Sequence, residues 1–312
     1  MNQTRRRCLK FGFGGLLAAG LGSSLSSAET PHFVDLTPQF WTAYTAAEGA
    51  SDRANLLIDR YFEPNAVVYS AAEIKITREK VATWLKTFDP MAGDVRRLCA
   101  AFPSEFAAHE KRFRRTFPDF DLANAPVFFL PSLYTFDGHP APYLGKTVLF
   151  LGVDGIVRYH GANADLAVLL DHESFHLYQA QSKLAFFSDD APPLYAGVWT
   201  EGTATYVSQA LNPTASHLHV LLDDQPLAAA KPELVKRMAA MMLDRLDSRS
   251  ESDAKMFFSA GWVGDIPARG GYLLGLLVAQ HAANRMSLRR MAGLRADEMR
   301  EVVSTGLKVL AA

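Results

Sequence analysis

The residues with the clearest capacity for chemistry are Asp171-His172-Glu173-Ser174-Phe175-His176. A helix places positions i and i+4 on one face, so His172 and His176 would present two imidazoles to a single point. Neutral imidazole suits zinc, which in catalytic sites takes three protein ligands and keeps a fourth position for water. Glu173 stands beside a ligand and is placed to face that water, whose pKa zinc lowers toward about 7, so its carboxylate is a candidate general base. The third ligand has to come from another segment. The competing interpretation is a helix carrying incidental surface histidines. Against it, the motif follows Leu166-Ala167-Val168-Leu169-Leu170; this apolar run places the helix in a core, where unpaired imidazoles and a carboxylate are costly and a metal relieves the cost.

Downstream, Trp199-Thr200-Glu201-Gly202-Thr203-Ala204-Thr205-Tyr206 offers a glutamate at the start of an expected second helix, Glu201 to Leu211, which Pro213 would end. Alone, Glu201 is one carboxylate among many. Together, the His-Glu-x-x-His motif and a later helical Glu resemble the gluzincins, the thermolysin-like zinc peptidases. The local Glu-Gly-x-Ala form is similar to that of bacterial families of predicted zinc-dependent proteases. The likeness spans roughly 127 to 285. It implies a predominantly helical α+β fold of the zincin type with a small sheet against the active-site helix, Zn2+ as cofactor, Glu201 as third ligand, and a peptide or protein substrate.

The segment Pro267-Ala268-Arg269-Gly270-Gly271-Tyr272-Leu273-Leu274-Gly275 is similar to Gly-Tyr segments that follow the third ligand in those protease families. The Tyr272 hydroxyl, or Arg269, is a candidate to stabilise the oxyanion of a tetrahedral intermediate. Equally, Gly271 and Gly275 suit close helix packing, with Tyr272 as ordinary core. One position departs from the thermolysin-like pattern: where those enzymes place an Asp that orients a ligand His, this chain has Thr205, so the surroundings of the ligands must differ. His217 and His219 are alternative ligands by composition only and are expected at exposed or packing positions. Asp165 and Asp171 receive no chemical role. Cys99 has no base near it in sequence and is expected to be a small buried hydrophobe.

Short apolar runs at Val127 to Leu130 and Thr147 to Leu151, bounded by Gly and Pro, are expected strands, and Gly152 to Gly155 is expected to turn. The stretch Leu166 to Gln181 has neither Gly nor Pro and should be a helix capped by Asn163 or Asp165. Ser188 to Pro193 is an expected loop, with Asp189 to Pro193 as a candidate cleft rim. Helices are further expected over Pro232 to Asp247, Gly271 to Arg285 and Ala296 to Leu310, with the polar run Ser248 to Asp253 as a solvated turn or cap. The stretch from Thr37 to Phe117 should form several helices interrupted at Pro64, Pro90 and Pro103.

The chain divides, on this basis, into a signal peptide (1–28), a helical N-terminal region (29–125) and a zincin-like metallopeptidase domain (126–312). Thr4-Arg5-Arg6-Arg7-Cys8-Leu9-Lys10 resembles a twin-arginine export signal, followed by an apolar stretch too short to span a bilayer and by Ser26-Ser27-Ala28 as cleavage site. The expected partner of this segment is the twin-arginine export machinery. The expected location is the periplasm or outside the cell, with no stable membrane anchor after cleavage. With 312 residues, 49% of them hydrophobic, the chain can bury a full core, and 32 basic against 33 acidic residues give no electrostatic footprint for nucleic acid. Cys8 would leave with the signal, so Cys99 has no disulfide partner. Two other classes compete with the peptidase: a non-catalytic zincin-fold module that binds metal or a partner, and a helical envelope protein without metal.

Overall fold

The computed structural model describes residues 32–181 and 191–312. The expected signal peptide and the first part of the expected 188–193 loop lie outside these residues. Strand β1 (Phe33–Asp35) leads into five helices, α1 (Thr37–Ala46), α2 (Arg53–Leu57), α3 (Ala66–Ala71), α4 (Arg78–Phe88) and α5 (Ala92–Thr116). Strands β2 (Val127–Leu130), β3 (Gly138–Tyr143) and β4 (Lys146–Gly152) follow, then α6 (Val153–His160), α7 (Leu166–Gln181) and α8 (Leu194–Leu211). The chain closes with α9 (His217–Val220), α10 (Gln225–Ala228), α11 (Pro232–Leu243), α12 (Glu251–Phe258), α13 (Gly270–Ala283), α14 (Leu288–Ala292) and α15 (Ala296–Ala311). The fold class is α+β and mostly helical, as expected.

The sheet has the order β1-β2-β4-β3. β1, β2 and β4 are parallel, with Val127 opposite Phe33 on one side and Leu149 on the other, while β3 runs antiparallel to β4. All four residues of β2 are buried, which is why it reads as an unbroken apolar run, the mark of a strand covered on both faces. The sequence reading missed β1 and β3. β1 is three residues long, and β3 carries Pro140 and Pro142, which argue against a strand unless it lies at an edge. Gly152 N–H donates to Asp137 O at 2.8 Å. From there the antiparallel alternation turns positions 138, 140 and 142 outward, so neither proline removes a ladder bond.

Three other expectations are corrected. Pro103 does not interrupt α5, because Cys99, Phe102 and Phe106 bury the helix face around it, and that packing outweighs a penalty of about 3 kcal/mol for an interior proline. Gly152 to Gly155 is not a turn: Gly152 ends β4 and precedes α6, which begins at Val153, and Gly155 is there because a Cβ would stand 1.9 Å from Phe136 O. α8 begins at Leu194 rather than at Glu201, since Leu194, Ala196, Val198 and Trp199 bury a helical face of their own, and Glu201 therefore lies mid-helix. The polar run ends in helix α12, which starts at Glu251.

One apolar core joins the N-terminal helices, the sheet and the inner face of α7; a second lies among α8, α11, α13 and α15. The first core runs across the expected 125/126 boundary, because β1 pairs with β2 and α5 packs on α7. The loop between β2 and β3 is fixed from below by Asp154, fully buried in α6. Its carboxylate accepts from Ser132 N–H and Oγ–H, Tyr134 N–H (2.8 Å) and Trp84 Nε1–H (2.8 Å). Burial pushes its carboxyl above the usual carboxylate range, against those donors. The bonds hold Leu133 and Tyr134 at φ +53° and +56°, left-handed values uncommon for such side chains. Asp154→Ala strands Ser132 N–H, Tyr134 N–H and Trp84 Nε1–H, while Ser132 Oγ–H can still donate to Phe136 O, and is expected to cost about 3 kcal/mol or more in urea unfolding, against less than about 0.5 kcal/mol for an exposed control such as Glu48→Ala.

Candidate metal centre

α7 forms as the sequence implies. Asp165 caps it, its Oδ1 accepting from Val168 N–H at 3.1 Å, and the helix is buried on most of its circumference. His172 and His176 meet across one turn with their rings edge to face, centroids 4.8 Å apart. Their Nε2 atoms are separated by 3.1 Å, and Glu201 of α8 brings Oε2 to 3.5 Å from the first and 3.4 Å from the second. Three donor atoms thus form a nearly equilateral triangle. Ligands tetrahedrally disposed at about 2.05 Å from one ion stand about 3.3 Å apart, so the triangle has the size a bound divalent metal requires.

Burial makes the same case energetically. His172, His176 and Glu201 are 2%, 4% and 3% exposed, and Glu201 Oε2 accepts no hydrogen bond from the described residues. A buried carboxylate oxygen facing two imidazole nitrogens is expensive unless a cation completes it. Burial alone would raise the Glu201 carboxyl; the imidazoles of His176 and His172 override it and hold the group far below the carboxylate range. Burial lowers His172, whereas His176, despite its burial, is raised by the Glu201 carboxylate. The grouping of His172, His176 and Glu201 can hold a metal ion.

The α8 side of the triangle depends on glycine. α8 and α13 approach so closely that a Cβ on Gly202 would lie 2.2 Å from Gly275 C, and one on Gly275 would lie 2.3 Å from Val198 O. Gly202 follows Glu201 directly because backbone, not side chain, occupies that space. Thr205, where an orienting Asp was absent from the sequence, spends its hydroxyl on Glu201 O at 2.7 Å.

Glu173 is half-buried in a cleft that opens over the triangle, and its charge acts on His176. The cleft is lined by Asp137, Gly138 and His139 from the start of β3, by Phe258, Arg269 and Tyr272 around α13, and by His172, Glu173 and His176. A Cβ on Gly138 would meet the Glu173 carboxyl atoms at 2.5 to 2.9 Å, so this glycine lets the carboxylate lie against the edge strand. Tyr272 is in the cleft rather than in the core alone, its ring parallel to that of His172 with centroids 6.2 Å apart. His217 and His219 stand outside the triangle. His219 Nδ1 pairs with Asp223 at 2.8 Å, and Asp223 also holds His160, whose other nitrogen holds Asp137 at 2.7 Å. Burial works against the Asp223 charge, but the two histidines keep its carboxyl below the usual range. Cys99 is buried, as expected, and burial pushes its thiol up to about 11.

Asp171, to which the sequence assigned nothing, anchors the opposite face of α7. Fully buried, it accepts from Arg112 Nε–H at 2.9 Å and Asn212 Nδ2–H at 2.7 Å, and pairs with His109 Nδ1 at 2.7 Å. His109 Nε2 meets Ser174 Oγ at 2.9 Å. This has the composition of a nucleophile, base and orienting acid, but Ser174, His109 and Asp171 are 3%, 1% and 0% exposed, so the assembly is a packing device. It ties α5, α7 and the residue after α8 together. No local signal could have found it, since its members come from three distant segments.

No family model, curated protein or solved structure matches the chain. Its functional reading therefore rests on this geometry and on the motif. Asp171→Ala removes the buried carboxylate shared by Arg112 Nε and His109 Nδ1 and is expected to destabilise the fold by roughly 3 to 5 kcal/mol in chemical denaturation. Asn212→Ala, removing one donor of several, should cost about 1 kcal/mol.

Proposed function

We propose that the chain is a zinc-dependent hydrolase, a peptidase of gluzincin type, with His172, His176 and Glu201 as ligands and Glu173 as general base. The observation that carries this reading is the buried triangle of two Nε2 atoms and one carboxylate oxygen, 3.1 to 3.5 Å on a side, at the base of a cleft that also contains Glu173. Two imidazoles and one carboxylate are a common catalytic donor set for zinc. The mixed sheet supports a zincin-like arrangement, with its antiparallel edge strand β3 beginning beside the helix that bears the motif. The N-terminal resemblance adds export through the twin-arginine machinery to the periplasm or beyond.

Zinc, when bound, supplies Lewis acidity toward the scissile carbonyl and toward water. Glu173, positioned against Gly138, takes the proton of the attacking water and returns it to the leaving amine nitrogen. Burial of the ligands excludes bulk water from their far side, so the cleft is the approach to them. Tyr272, parallel to His172, is the proposed donor to the oxygen that becomes negative as the tetrahedral intermediate forms.

Elemental analysis of the protein purified with zinc present should give about one zinc per chain, lost in His176→Ala and in Glu201→Ala. Glu173→Gln should keep the metal and lower kcat on a mixed peptide library by about 100-fold or more, while Tyr272→Phe keeps the metal with a smaller loss. Absence of zinc from the wild type overturns the reading; zinc with no peptide turnover would leave a binding module or a zinc hydrolase of another amide or ester.

A further inference from the structure

Arg269 carries two energetic costs at the rim of the cleft. Its backbone is left-handed, φ +57° and ψ +25°, at the residue before α13. A non-glycine residue held there stores strain that tends to mark function. Its side chain is nine-tenths buried, and two of its three nitrogens, Nε and Nη2, donate to a single oxygen, Asp224 Oδ2, at 3.1 and 2.7 Å. Nη1 is buried and meets no acceptor among the described residues. Asp224 cannot swing over to serve it, because its other oxygen caps α10 through Leu227 N–H at 3.2 Å. The side of the guanidinium fork is occupied, and its end, Nη1 with the outer N–H of Nη2, is left for a ligand. Two parallel donors match a carboxylate taken end-on, whereas a lone carbonyl fills one of them.

The distance to the metal centre then fixes which carboxylate. The guanidinium carbon lies 5.8 Å from the Tyr272 ring centre, and the His172 ring lies 6.2 Å from the same point. The guanidinium and His172 are therefore at most about 12 Å apart, a gap that extended chain spans in about three residues. On the peptidase reading, the metal's charge offsets Glu173 and Asp137 in the same cleft.

We propose that Arg269 binds the C-terminal carboxylate of the substrate, and that the protein is an exopeptidase releasing short fragments from the C-terminal end of peptides. The proposal rests on the peptidase reading and narrows its substrate class. Asp224 positions the fork, and Tyr272 packs near both Arg269 and His172.

The test uses the zinc-loaded full chain and an N-acetylated mixed-sequence hexapeptide library, prepared once as free acids and once as C-terminal amides. Mass spectrometry should find cleavage within about three residues of the free C-terminus, with kcat/KM for the amides lower by about tenfold or more. Binding to the Glu173→Gln protein, read by calorimetry, should favour the acids by a similar factor. Arg269→Gln should abolish both preferences and Arg269→Lys restore part of them. Equal cleavage of acids and amides at internal bonds would overturn the proposal and leave the peptidase reading standing. Absence of zinc would overturn that reading instead. If no peptide is cleaved, equal binding of acids and amides overturns the anchor and preferential binding of acids upholds it. If Arg269→Gln does not fold, the wild-type comparison of acids with amides decides.

Discussion

The structure depends on the convergence of three buried donors, two imidazole nitrogens and one carboxylate oxygen, within 3.5 Å of one another. Such a group is stable in an apolar interior only if its charge and lone pairs are answered, and a cation answers all three at once. To hold a metal, its geometry can tolerate errors of only a few tenths of an ångström, because metal–ligand distances are nearly fixed. Two of the three are made mutually precise by one helix. The third sits on a separate helix, so the packing of α7 on α8 sets the site.

That packing is held by different means on its two sides. Behind α8, Gly202 and Gly275 let α13 come to backbone contact, which leaves α8 little room to shift along its neighbour. Behind α7, the buried Asp171 carboxylate gathers donors from α5 and from Asn212 just beyond α8. Directional hydrogen bonds to a buried charge tolerate little sliding, so the polar cluster complements the nondirectional grip of the core. The N-terminal helices thereby belong to the site's foundation, although none of the three converging residues lies on them.

The cleft is shaped by a second buried carboxylate. Asp154 holds the loop leading to β3 in a strained path, and that path delivers Gly138 against Glu173. Across the cleft, the left-handed backbone at Arg269 opens α13 and turns Tyr272 toward His172. The walls are thus set by loop segments whose conformations are dictated by side chains elsewhere in the chain.

The sequence by itself determined what is local. The span of α7, its cap at Asp165 and the pairing of His172 with His176 follow from helical periodicity and the absence of breakers. The buried strand β2 and the approximate spans of α11, α13 and α15 were legible for the same reason. Glu201 stood out only through the likeness of its surroundings to a known motif, and the start of its helix was misplaced because a buried helix has no polar face to mark its ends. Only the tertiary structure decided that β3 is a strand, since two prolines are tolerable there solely because its outer edge has no neighbouring strand among the described residues. It alone gave roles to Gly138, Gly202, Asp154 and Asp171. Each of these acts on a residue distant in the sequence, and contacts of that kind depend on how the elements pack, which no local pattern records.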